Sequence, residues 1–187
     1  MKRFTFNVAF ALFACTFLGP TIEAQNQAAP SLQDLLKDEY KVSKSGSDAS
    51  GFKIIEPGTI VVAKQAGIMA TAQGNPHMIA FKLPKVCDNT FKNGALTVPK
   101  ACAATSVGSH YLNNGEKLYI TKFEVNEKSN KITFNLVECD ACNGAAKPSA
   151  MKVSVTFEFA PKFLDTAEPG QVTDVIGQVF APVKAGR

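Results

Sequence analysis

Cys139-Asp140-Ala141-Cys142 is the stretch whose residue types and spacing are best suited to chemistry. Two cysteines so spaced can clamp a metal, cycle between redox states, anchor a haem or close a staple. A c-type haem needs a histidine directly after the second cysteine, and that position holds Asn143. A thioredoxin-like pair needs its first cysteine at a helix N-terminus, where the dipole and nearby donors stabilise the thiolate. Cys139 instead ends a predicted strand between Glu138 and Asp140, whose carboxylates disfavour a thiolate, and Asn143-Gly144 favours a turn. Zinc would need two further ligands, and there is no second CxxC to supply them. Cys87 and Cys102 are far apart, and His77 and His110 stand without a close partner in sequence. A four-cysteine site assembled in space stays open.

The residues favour disulfides among Cys87, Cys102, Cys139 and Cys142, an even number once the expected export signal with Cys15 is removed. Local closure pairs Cys139 with Cys142 around Asp140-Ala141, and Cys87 with Cys102 around the turn at Asn93-Gly94. Four cysteines allow three pairings, and spacing alone does not choose among them.

Other catalytic signatures are thin. Ser109 and His110 are neighbours on a predicted strand, so their side chains leave on opposite faces and do not form a nucleophile with its base. The chain has no nucleophile elbow, phosphate-binding glycine loop or HExxH. His77, in a Gly-Asn-Pro-His loop, reads as an exposed loop residue, and the acidic residues are dispersed. No cofactor or catalytic residue is expected. A concave pocket holding His77 or His110 beside a buried carboxylate would instead favour an enzyme.

The N-terminus carries the compartment signal. Met1-Lys2-Arg3 is basic, Phe4 to Leu18 is apolar apart from Thr and Asn, and Gly19-Pro20 breaks the helix. Cleavage is expected between Ala24 and Gln25, so residues 1–24 read as a signal peptide and 25–187 as one β-rich domain. Two alternatives accompany it: a retained N-terminal anchor, and a lipobox at Leu12-Phe13-Ala14-Cys15 that would lipidate Cys15. No other stretch reaches membrane-spanning length. The net charge of +4 comes from scattered lysines, not from a basic stripe interleaved with aromatics, which argues against a nucleic-acid partner.

The elements that must hold these residues follow from periodicity. Ser31 reads as the N-cap of a helix over 31–42, with Leu32, Leu35, Leu36 and Tyr40 on one face. Ser43 to Gly51 reads as a loop, and residues 52–160 as a sheet. Its strongest strands are Lys117–Val125, Lys131–Val137 and Met151–Phe159, and Asn114-Gly115 predicts a hairpin before the first of them. A second helix spans 169–180, with Val172, Val175, Ile176, Val179 and Phe180 as its apolar face and Ala181-Pro182 as its stop. Helices kept to the termini argue for an α+β fold that is mainly β. The expected architecture is an antiparallel sheet, strongly curled or closed as a small barrel, with one N-terminal and one C-terminal helix.

The blocks "GEKLYITKFEVN", "CDACNG" and "VTFEFAPKFLDTAEPGQVTDVIGQVF" resemble a group of small exported bacterial proteins to which no activity attaches. The resemblance covers most of the second half of the mature chain and carries over no catalytic residue. The expected function is therefore an exported, non-catalytic envelope or periplasmic module, stabilised by disulfides and binding an envelope protein, a polymer or a small ligand. The alternative is a small hydrolase or redox accessory enzyme, with a site assembled from dispersed residues.

Overall fold

The computed structural model describes residues 30–48, 51–72, 87–100, 109–145 and 151–183. The expected leader with Cys15 and Ala24, and likewise Gln25, His77 and Cys102, lie outside the described residues. The fold is mainly β, a half-barrel sheet with short helices near both ends of the described chain.

Helix α1, Leu32–Lys37, starts as expected: the Ser31 hydroxyl accepts from Asp34 N and donates to the Asp34 carboxylate. It stops well short of residue 42. Beyond Tyr40 the backbone is claimed by the sheet, Ser43 N donating to Ile120 O at 2.7 Å and Lys41 O accepting from Thr59 N at 2.8 Å. Leu32, Leu36 and Tyr40 are buried, but Leu35 is 45% exposed, so the apolar face is narrower than its spacing implied.

The segment read as a loop before Phe52 contributes a strand. Strands β1 (Lys44–Asp48) and β2 (Gly51–Glu56) form a separate antiparallel hairpin. β1 is Ser- and Gly-rich and has little strand preference of its own. Its pairing is set by β2, whose Ile55 side chain lies across Gly46, where a Cβ would meet Ile55 Cδ1 at 2.6 Å.

The main sheet comprises β3 (Ile60–Ala63), β4 (Met69–Thr71), β5 (Asp88–Lys92), β6 (Ala95–Thr97), β7 (His110–Tyr111), β8 (Lys117–Asn126), β9 (Lys131–Glu138), β10 (Lys152–Glu158) and β11 (Phe180–Pro182). Its order is β11-β3-β8-β9-β10-β4-β7, with β5 and β6 added beside β10. Pairing is antiparallel except that β5 runs parallel to β10. The Asn93-Gly94 turn joins β5 to β6, both residues at positive φ as a tight hairpin turn requires. The hairpin expected at Asn114-Gly115 does not form. The turn is present, but β7 pairs with β4 whereas β8 pairs with β3 and β9.

The strand β8 carries Leu118, Ile120, Phe123 and Val125, a pattern that loses its alternation at Thr121. A bulge between Ile120 and Lys122 takes up the extra residue and returns Phe123 to the core side. The opposing strands supply Ile132, Phe134 and Leu136, and Val153, Val155 and Phe157. Around Phe134 the rings of Tyr40, Phe123, Phe157 and Phe180 pack at centroid distances of 4.9–6.2 Å.

A short helix α2, Phe163–Thr166, precedes α3, Pro169–Ile176, which begins with a capping box between Glu168 and Gln171. Val172, Ile176, Val179 and Phe180 are fully buried and Val175 partly so, as the stripe implied. The helix nevertheless ends at Gly177 and not at Phe180. Phe180–Pro182 instead forms β11 on the edge of β3, a position where a proline costs no interior ladder bond.

Candidate functional site

Cys139 and Cys142 are disulfide-bonded, with Cα atoms 5.1 Å apart. Cys139 follows the last residue of β9, and the next residues turn back on themselves. Asn143 N bonds Cys139 O at 2.9 Å, Ala145 N bonds Asp140 O at 2.9 Å, and Gly144 takes a φ of 71°. The pair is thus a staple on a turn and no metal clamp. Cys87 is also disulfide-bonded, but its expected partner Cys102 lies outside the described residues.

The stapled turn grips the start of β8. Asn143 Oδ1 accepts from Lys117 N at 2.9 Å and Asn143 Nδ2 donates to Lys117 O at 3.0 Å. Cys139 N also donates to Lys117 O, at 2.9 Å. Two carboxylates flank this clamp in sequence: Glu116 precedes Lys117, and Glu138 precedes Cys139. Asn113 orients the first, its N and Nδ2 donating to the two Glu116 oxygens at 3.1 and 3.0 Å.

Glu138 continues the inward series Ile132, Phe134, Leu136, so the strand that builds the core also carries a carboxylate inward. Its side chain is 9% exposed, and Oε1 lies 2.9 Å from His110 Nε2. Beyond this ion-pair contact with His110, Oε1 accepts no hydrogen bond. One ligand atom each from His110, Glu116 and Glu138 falls within 4.8 Å of the others. Burial pushes the Glu138 carboxyl up to about 7; His110 opposes the shift, and the charges of Glu116 and Asp140 reinforce it.

Curl creates this meeting. In pairing order His110 stands opposite Ala70, Ala70 opposite Val153, and Val153 opposite Leu136, two residues before Glu138. Three strand spacings of about 4.8 Å would hold β7 and β9 roughly 14 Å apart in a flat sheet. The half-barrel folds that distance inward until the side chains touch. A carboxyl titrating near neutrality against an imidazole can exchange a proton, and the same three side chains are cation ligands by type.

The sequence offered His110 as a residue that a buried carboxylate could turn into a site, but it did not name Glu138, which it placed only as a neighbour of Cys139. A usable signal was present: a glutamate at an inward position of an otherwise apolar alternation needs a partner. Nothing in the sequence could name that partner.

Away from this cluster, a concavity of about 330 Å³ lies between the β1–β2 hairpin and the main sheet. Ser45 and Phe52 line one side, and Thr121, Lys122, Asn135 and Lys152 the other, with Lys152 Nζ 6.0 Å from the Phe52 ring centroid. No described helix is long and apolar enough to cross a membrane. Neither a family model, nor a curated protein, nor a solved structure matches the chain.

Proposed function

We propose that the protein is an exported, non-catalytic module of the bacterial envelope or periplasm that binds an envelope protein or polymer. The observation that carries the reading is the Cys139–Cys142 disulfide, a bond that persists in oxidising compartments. The basic and apolar N-terminal stretch ahead of Ala24-Gln25 supports the same compartment. The groove under the β1–β2 hairpin supports the binding role, because it presents hydroxyl, amide and ammonium groups beside one aromatic ring. Intact-mass analysis of fractionated cells tests the proposal: a processed chain beginning at Gln25 is expected outside the cytoplasm, and native pull-down should recover an envelope component. A chain that keeps residues 1–24 in the cytoplasmic fraction overturns it, and a lipid on Cys15 moves the module onto a membrane surface.

One observation favours a small hydrolase as a second reading. Glu138, with its carboxyl near 7, stands 2.9 Å from an imidazole, an arrangement suited to general acid–base work. A panel of ester, amide and glycoside substrates tests it, and only turnover abolished by Glu138→Gln supports it.

A further inference from the structure

We propose that His110, Glu116 and Glu138 form a site for one divalent first-row transition cation, Zn²⁺ being the ion the donors suit best. The inference goes beyond the envelope reading and does not depend on it.

The first argument is the donor set. One imidazole with two carboxylates is a combination zinc accepts, and three protein ligands leave a position for water or a ligand. Calcium and magnesium prefer all-oxygen shells, whereas imidazole selects transition metals. Two carboxylates also balance a dication, with Asp140 adding to the local negative field.

The second argument is Glu138 itself. A carboxylate oxygen with almost no exposure, whose one favourable polar partner among the described residues is His110, is costly, because most of its lost hydration is not replaced. Its Oε1 faces the His110 imidazole nitrogen at 2.9 Å. Two ligands of one tetrahedral zinc sit about 3.3 Å apart, given bonds of about 2.0–2.1 Å. A separation of 2.9 Å for one pair, and none above 4.8 Å, therefore needs only small side-chain rotations to close on an ion.

The third argument is support around the ligands. Asn113 fixes both oxygens of Glu116, as outer partners of metal-binding carboxylates do. The Asn143–Lys117 clamp, locked by the disulfide, holds the backbone next to each glutamate. With both sulfurs of this CxxC in the disulfide, the adjacent cysteines are not the ligands.

The test uses the full oxidised chain, stripped with EDTA and titrated with Zn²⁺ by calorimetry at neutral pH. One saturable site per chain is expected, and Co²⁺ in place of Zn²⁺ should give visible absorption bands. His110→Ala, at an exposed position, should keep the melting transition of the stripped protein yet weaken binding by at least about tenfold, and Glu116→Gln should do the same. The proposal is overturned if the folded, disulfide-intact protein shows no saturable Zn²⁺ binding. It is equally overturned if both variants bind as the parent does, or if Mg²⁺ binds the same residues as strongly as Zn²⁺. None of these outcomes bears on export, which fractionation and intact mass decide separately.

Discussion

The side-chain amide of Asn89 meets the backbone of Met69 with both of its polar atoms. Oδ1 accepts from Met69 N at 2.8 Å, and Nδ2 donates to Met69 O at 3.0 Å and to Ser154 O at 2.8 Å. Asn89 is completely buried at the point where β4 and β5 share one flank of β10, antiparallel over its first residues and parallel over the rest. A ladder that changes partner and direction there leaves backbone groups to satisfy, and this amide supplies the missing peptide-like pair. Asn89→Ala removes those bonds in a buried place, at about 1–3 kcal/mol for each group left unsatisfied. Urea unfolding should show a loss of about 3 kcal/mol or more, and Asn89→Asp should not restore it, because the donors are gone. A variant as stable as the parent would mean that the junction is satisfied in another way.

Gly58 should tolerate no side chain, although its backbone is not left-handed. An added Cβ would press on Lys41 O, with Val42 C at 2.7 Å and Ser43 N at 2.8 Å. All three are backbone atoms of the strand-like segment that ties α1 to the sheet, so no rotamer can relieve the clash. Gly58→Ala should cost about 1–3 kcal/mol by thermal or urea unfolding, where glycine-to-alanine at an open site would stabilise.

The C-terminal apolar face should be structural. Ile176 is fully buried between α3 and the sheet, and Ile176→Asp places an unpaired charge there. The expected loss exceeds about 4 kcal/mol, a large part of the roughly 5–15 kcal/mol that holds a typical domain folded. Leu35→Asp is the control: despite its helical spacing with Leu32 and Leu36 it is half exposed, and its effect should stay near 0.5 kcal/mol. An unchanged melt for Ile176→Asp would turn this face into a docking surface.

Stability of the metal-stripped protein should fall as the pH rises toward neutrality. The Glu138 carboxyl in the fold titrates at about 7, against an ordinary 4.5. The native state therefore holds a proton that the unfolded chain has already released between those values. The resulting stability is complete below about 4.5 and lost on passing through about 7. His110 from β7, Glu116 before β8 and Asp140 in the stapled turn are the charges that face the group. The loss should be on the order of 2 kcal/mol, less than full conversion of the shift because exposed His110 lets water reach the cluster. Glu138→Gln should flatten this part of the profile and leave the protein more stable near pH 7. An identical slope in parent and variant would assign the effect elsewhere.

Cys142→Ser should be mild. A ring closed over so few residues removes little entropy from the unfolded chain, about 2 kcal/mol in the chain-entropy account. Replacing Cys87 should cost more if its bond spans the longer loop to Cys102, for which about 3 kcal/mol is expected. Non-reducing peptide mapping that joins Cys87 to Cys102 would fix the premise, and a larger loss for Cys142→Ser would contradict it.

Much of this architecture was legible in the residues. The strands β8, β9 and β10 were readable because alternation has a period of two and the core accepts only apolar side chains on one face. The starts of α1 and α3 were readable because Ser31 and Glu168 satisfy orphan N–H groups within a few residues of themselves. The Asn93-Gly94 turn and the Cys139–Cys142 staple are equally local, each decided by backbone that the motif itself contains. What failed depended on partners distant in sequence. β1 is a strand only because β2 lies against it, α1 ends early because the sheet takes the carbonyl of Lys41, and Phe180–Pro182 leaves its helical pattern to pair with β3. The candidate site belongs to the same class. His110 lies in β7, Glu116 in the turn six residues on that leads into β8, and Glu138 at the end of β9, and no spacing relates Glu138 to the other two. Glu138 meets His110 because the sheet curls by enough to close a gap of three strands, and curl is a sum of twists, bulges and core volumes over the whole sheet.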